Sequence, residues 1–219
     1  MKKYFMKVSI LFVIAILCMA NQIVFASLPL TGKLIVIDVG HGGADPGTMY
    51  GDIYEKDINL AISLELESEL SRLGASVILI RNEDYDLSKP NASWRKKSDF
   101  DNRIKLINNS GDDYYLSIHL NYLEDASYYG PQVFYNIKNE NNKIIAEQIQ
   151  SELNKEIKTD REVKLIPSTT YMYKELKVKG VLIECGFLSN AHERSLLVTE
   201  EYQKKLAKTI ASAVGNLKL

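Results

Sequence analysis

The chain has 219 residues, with 27 basic and 28 acidic side chains, a net charge of −1 and two cysteines. With 46% apolar and 25% charged residues, it has the balance of a folded globular protein rather than a disordered one. Its length suits one ordinary domain. The near-neutral charge offers no basic stripe, so no nucleic-acid partner is expected.

The total charge hides an asymmetry. Residues 1–26 carry Lys2, Lys3 and Lys7 and no acid, which leaves 24 basic against 28 acidic groups, or −4, in residues 27–219. The basic segment Met1–Lys7 is followed by Val8–Ala20, apolar or small except for Ser9, and then by Asn21-Gln22 and Val24-Phe25-Ala26. This is the order of a secretory signal with a cut after Ala26. The alternative is a retained anchor, with Ile23–Phe25 stretching the apolar run toward a marginal span. Export across the cytoplasmic membrane is expected in either case. Cys18 is a poor candidate for lipidation, because the preceding Leu17 is bulky. Cys185 has no partner within residues 27–219, so this exported domain is expected to rely on its core rather than on a disulfide.

Taken in chain order, apolar runs of strand length alternate with helical stripes. Leu34–Ile37 is short, apolar and β-branched, as a strand buried on both faces should be. A stripe at Ile58, Ile62, Leu66, Leu70 and Leu73 predicts an amphipathic helix. Val77–Ile80 and Tyr114–His119 read as further buried strands, and Gln132–Tyr135 as a weaker, edge-like one. Ile145, Ile149, Leu153 and Ile157 mark a second helix. Val181–Ile183 is another buried strand. Asn190, with Glu193 three residues on, resembles a capping box for a short helix. Thr199, followed by Glu200 and Glu201, is an N-cap for a last helix carrying Tyr202, Leu206, Ile210 and Val214. The pattern predicts a single α/β domain: a mostly parallel twisted sheet of about five or six strands with helices on both faces.

In such sheets ligands bind beyond the carboxyl ends of the strands, and chemically capable residues gather there. The first strand runs into Asp38-Val39-Gly40-His41-Gly42-Gly43. Tyr114–Ile118 ends at His119, and Val181–Ile183 ends at Glu184. Glu55 opens the first helix. His41, Glu55 and His119 form a His₂Glu set, the donor pattern of a catalytic zinc with one position left open, although Fe²⁺ or Mn²⁺ would also accept it. Asp38 is a candidate to orient the His41 imidazole. Each residue also has an ordinary structural reading: a capping histidine, a helix-start acid favoured by the macrodipole, a glycine turn. Gly40–Gly47 lacks the pattern of a P-loop or a dinucleotide fingerprint. Glu184 resists such a reading, since a carboxylate closing an apolar strand must be paired, metal-bound or catalytic.

Four segments carry these residues: Ile35-Val-Ile-Asp-Val-Gly-His-Gly-Gly-Ala-Asp-Pro-Gly47, Glu55-Lys-Asp-Ile-Asn-Leu60, Ser117-Ile-His-Leu-Asn121 and Leu182-Ile-Glu-Cys-Gly-Phe-Leu-Ser-Asn190. They resemble, in order, the four signature blocks of the zinc-dependent N-acetylmuramoyl-L-alanine amidases, across residues 33 to about 217. The resemblance implies that His41, Glu55 and His119 bind Zn²⁺ and that Glu184 is the catalytic carboxylate. It implies peptidoglycan as substrate, cut between N-acetylmuramic acid and L-alanine. Val39 and Lys179 stand where the family often has proline, which bears on loop geometry rather than on chemistry. The short build is most similar to the spore-cortex branch, which removes peptide from muramic acid so that a separate deacetylase can complete muramic-δ-lactam. A vegetative wall autolysin, or an amidase-fold binding protein without turnover, is the alternative. An accessory protein for targeting or activity is left open.

Three further features invite a role. Cys185 is a rival nucleophile, but within a strand it should point away from Glu184. His192 is expected on the surface of the short helix after Asn190. Tyr122, Tyr128 and Tyr129 follow His119 and are available for stacking on substrate, or for plain packing in a chain with 13 tyrosines.

Overall fold

The structure, a computed structural model, describes residues 28–218. The expected signal or anchor and Cys18 lie outside the described residues. Strand β1 (Leu34–Val39) leads through a glycine-rich loop and the hairpin β2 (Met49–Tyr50) and β3 (Ile53–Tyr54) into helix α1 (Glu55–Arg72). Then follow β4 (Ser76–Leu79), α2 (Arg95–Asn109), β5 (Tyr114–Asn121), β6 (Gln132–Tyr135) and α3 (Asn141–Ile157). The chain finishes with β7 (Lys164–Leu165), α4 (Tyr171–Glu175), β8 (Gly180–Phe187), α5 (Ala191–Leu197) and α6 (Glu200–Gly215).

Six strands make one sheet in the order β4-β1-β5-β8-β6-β7. Strands β4, β1, β5 and β8 run parallel. Strand β6 is antiparallel to β8, and β7 follows β6. The period-two alternation of side chains sorts the core into two layers. Ile35, Ile37, Leu116, Ile118, Val181 and Ile183 face one side, against apolar residues of α1, α3 and α6 such as Leu66, Ile149 and Ile210. Val36 and Tyr115 face the other, against Ile107 of α2 and Met172 and Tyr173 of α4. The molecule is a single α/β domain with a mostly parallel sheet and helices on both faces, as the apolar pattern predicts.

Four local expectations change. Strand β4 spans Ser76–Leu79 and is an edge strand with half-buried side chains, not one buried on both faces. Strands β5 and β8 run beyond His119 and Glu184, to Asn121 and Phe187, because their ladder continues past a bulge after His119. Helix α2 has no counterpart among the predicted helices. Finally, the Asn190 cap is half of a capping box. Its Oδ1 accepts from the Glu193 N–H at 3.0 Å, while the Glu193 carboxylate turns to the N–H groups of Phe187 (2.8 Å) and Gly130 (2.9 Å). Thr199 caps α6 as expected, accepting from Tyr202 N–H. Among the described residues no helix is long and apolar enough to cross a membrane.

Candidate metal centre

The loop after β1 approaches His119 more closely than a side chain would allow. A Cβ on Gly40 would lie 2.5 Å from His119 Cε1, so glycine is required there. A Cβ on Gly47 would similarly meet Glu55 Oε2 and His41 Cδ2, each at 2.7 Å. Between these glycines His41 adopts φ 60°, a left-handed backbone uncommon for a residue with a side chain. Two buried arginines hold the loop in this shape. Arg103 donates from Nη1 to Val39 O and from Nη2 to His41 O, both at 2.7 Å. Arg81 donates from Nη2 to Gly40 O (2.9 Å) and Lys56 O (2.7 Å).

This brings His41, Glu55 and His119 together. One donor atom from each lies within 4.8 Å of the others. Glu55 Oε1 is 3.2 Å from His41 Nε2 and 3.1 Å from His119 Nδ1. The two imidazole rings meet edge to face, with centroids 4.9 Å apart. Glu55 is itself fixed: Leu120 N–H donates to Oε1 at 3.0 Å and Thr48 N–H to Oε2 at 2.8 Å. Asn59, one turn on, adds a 3.2 Å bond to Oε1. His41 Nδ1 lies 3.0 Å from Asp45 Oδ2, which leaves Nε2 turned toward Glu55.

The electrostatics favour positive charge here. Burial works against protonation of His41, but Asp45 and Glu55 outweigh it and raise its pKa to about 9. Burial would raise the Glu55 carboxyl, yet His119 and His41 hold it far below the ordinary carboxylate range. Nitrogen and carboxylate donors converging on one point, with excess negative charge around it, suit a divalent cation. Glu184 stands beside them as the register partner of His119. It is half-buried, but its Oε2 is enclosed and has no hydrogen-bond partner. Burial, reinforced by the Glu55 charge and opposed by His119 and His41, pushes its pKa up to about 7.

The other candidates go elsewhere. Asp38 does not orient His41. It lies buried on the α2 side, paired with Arg103 Nη1 at 2.7 Å and accepting from Ser117 Oγ at 2.5 Å. The imidazole's partner is Asp45, four residues after His41 and brought back by the glycine turn. Cys185 packs in the core layer on the face opposite Glu184, and burial pushes its thiol far above the ordinary value, against a nucleophilic role. His192 is exposed on α5, and Tyr122, Tyr128 and Tyr129 are exposed in the loop between β5 and β6. Sequence reasoning missed Asp45, Arg81 and Arg103. Only the i,i+4 pair Asp99–Arg103, joined at 2.7 Å, left a sequence signal, and it reads like a surface pair.

Over residues 35–216 the chain matches the N-acetylmuramoyl-L-alanine amidases, and it belongs to that family of hydrolases. It is 40% identical, over 192 residues, to the germination-specific N-acetylmuramoyl-L-alanine amidase of Bacillus subtilis (strain 168), covering 86% of this chain and 81% of that relative. The solved structure of the CwlD amidase from Clostridioides difficile, in complex with the GerS lipoprotein, is similar at TM-score 0.79 and 40% identity, over 84% of this chain and 96% of that one. An N-acetylmuramoyl-L-alanine amidase from Clostridium difficile 630 is similar at TM-score 0.73 and 31% identity, over 83% and 94%.

Proposed function

We propose that residues 27–219 are a zinc-dependent catalytic unit that hydrolyses the amide between N-acetylmuramic acid and L-alanine in spore-cortex peptidoglycan. The peptide-free muramic acid that results is the precursor for muramic-δ-lactam. The observation that carries this reading is the convergence of His41, Glu55 and His119 beside a carboxylate, Glu184, that has an enclosed oxygen with no structural partner. His41 Nε2, a Glu55 oxygen and His119 Nδ1 would hold the ion. A zinc ion bound there supplies Lewis acidity, which acidifies water and polarises an amide carbonyl. Asp45 fixes the His41 tautomer. Glu184 takes the proton of the attacking water and delivers it to the nitrogen of L-alanine as the C–N bond breaks. A group that titrates near neutrality suits both transfers.

Identity to the germination-specific relative supports the cortex assignment. The lipoprotein complex of the similar structure supports an accessory protein for this chain, and the N-terminal pattern supports export to the wall or to the space between the forespore membranes. Elemental analysis of the purified protein, with mass spectrometry of digested cortex, tests the activity. Bound zinc, free stem peptides and peptide-free muramic acid are expected; zinc-loaded protein that binds glycan but leaves it uncut would overturn the reading. His119→Ala should lose the metal. Spores lacking the protein should lack muramic-δ-lactam.

A further inference from the structure

The face of the sheet that carries Glu184 continues into residues with no part in the proton transfers. Gln132 of β6 is the register partner of Glu184, roughly 5 Å away across the ladder. Its Nε2 donates to Glu162 O at 2.7 Å, which turns Oε1 outward to accept a 2.5 Å bond from Arg161 Nη2. His119, Glu184 and Gln132 thus form one row across three strands, and Arg161 ends it. Arg161 precedes β7, which runs opposite to β8, so it sits at the same end of the sheet as the metal-ligand cluster.

The guanidinium of Arg161 is immobilised by aromatic contacts, 5.7 Å from the centroid of Tyr128 and 5.2 Å from that of Phe187. Phe187 is buried and Tyr128 is exposed, so the stack opens to solvent on one side. Arg161 Nε is enclosed without a hydrogen-bond partner. Among the described residues no carboxylate pairs with Arg161. The nearby Glu193 has both oxygens occupied by backbone N–H groups. Arg103 is the contrast: a structural arginine bound to two carboxylates, Asp38 and Asp99. An arginine fixed in plane by aromatic rings and a neutral amide, but given no counter-charge, is organised to receive an anion.

We propose that Arg161 binds a free carboxylate on the peptide part of the substrate, one or two residues beyond the scissile amide. This rests on the amidase reading above. The Arg161 guanidinium reaches back to Gln132 Oε1, one strand spacing of roughly 5 Å from Glu184. An extended peptide advances about 3.3–3.6 Å per residue, so one or two residues match that span. The planar donors of the guanidinium match a carboxylate, and the side of the stack that opens to solvent gives the peptide access.

The test compares N-acetylmuramoyl-L-alanyl-D-glutamate with the same compound carrying both carboxylates as amides, using metal-loaded wild type and Arg161→Gln. Wild type should favour the diacid by roughly tenfold or more, mainly through KM. Arg161→Gln should cleave both alike with unchanged metal content. Equal use of both compounds by wild type, a comparison that needs no variant to fold, would overturn the proposal; so would a preference that survives in Arg161→Gln. If zinc-loaded wild type cleaves neither compound, the amidase reading fails instead. Calorimetric binding of the dipeptide L-alanyl-D-glutamate against its diamide then decides the carboxylate site: a preference lost in Arg161→Gln upholds it, and no preference overturns it.

Discussion

Glu184 and His119 are paired residue to residue in the parallel β5–β8 ladder, on the same face of the sheet. The carboxylate therefore lies inside a strand, with one oxygen enclosed and unpartnered, where an ionised group is costly. Glu184→Gln is expected to lower turnover by about 10²–10⁴-fold while raising the melting temperature of the metal-free protein at neutral pH. The sign follows from the pKa, raised from 4.5 to about 7. Stability linked to the protonated form is fully present below the unfolded value and is lost as pH rises through the folded one. The melting-temperature gap should widen between about pH 4.5 and 7. Calorimetry after chelation checks this; a destabilised variant would contradict it.

On the zinc reading proposed above, Asp45 would act on the metal through His41. Removing the acceptor at 3.0 Å from Nδ1 releases both the tautomer and the ring orientation. Asp45→Ala should weaken zinc binding by about 10–100-fold, read by competition with a chromophoric chelator. Unchanged affinity would mean that the glycine turn alone orients the ring.

Gly40 has an ordinary backbone, so an alanine there tests crowding alone. Its methyl would fall 2.5 Å from His119 Cε1 and 2.6 Å from Ile118 O. Gly40→Ala should displace His119, lower zinc stoichiometry and cost roughly 1–3 kcal/mol of stability. A zinc content equal to wild type would show that the strands can yield.

Arg103 joins the site to the fold beneath it. Arg103→Met leaves Asp38 buried without its cation and strips the carbonyls of Val39 and His41 of a donor. A loss of about 3–5 kcal/mol is expected in urea unfolding. Lysine should rescue little, because one ammonium cannot replace the planar fork. Burial opposes ionisation of Asp38, yet Arg103 holds its pKa below the ordinary 3.8. The stability from this pair is therefore present above that value and disappears as pH falls below it, and the variant should show a flatter acid limb.

The sheet and the helices α1, α3 and α6 were legible because each keeps one apolar period throughout. Helix α2 was not. Its buried positions include Asp99 and Arg103 alongside Ile107, so its inward face reads as polar, and only a tertiary partner such as Asp38 makes it a core face. The convergence of His41, Glu55 and His119 could be anticipated because each interrupts or follows an apolar strand, or opens a helix. The same interruption hid the true ends of β5 and β8: an apolar run stops at a polar residue, whereas a hydrogen-bonded ladder does not. Asp38 was misassigned to His41 by nearness in sequence. Strand alternation sends it to the α2 side, while the turn at Gly42 and Gly43 carries Asp45 back. Arg81 follows an apolar strand with no local pattern around it, and nothing in the sequence announces that loop carbonyls close around it.

The donors of the centre come from a loop, a helix start and a strand, and Glu55 and His119 are 64 residues apart. In the unfolded chain the site does not exist, so the free energy of metal binding is also free energy of folding. An ion bound there would act as a reversible cross-link between segments that, among the described residues, no disulfide joins. On the zinc reading proposed above, metal supply would set the protein's lifetime as well as its turnover: where the metal is scarce, the fold would open more often and proteases would find it sooner.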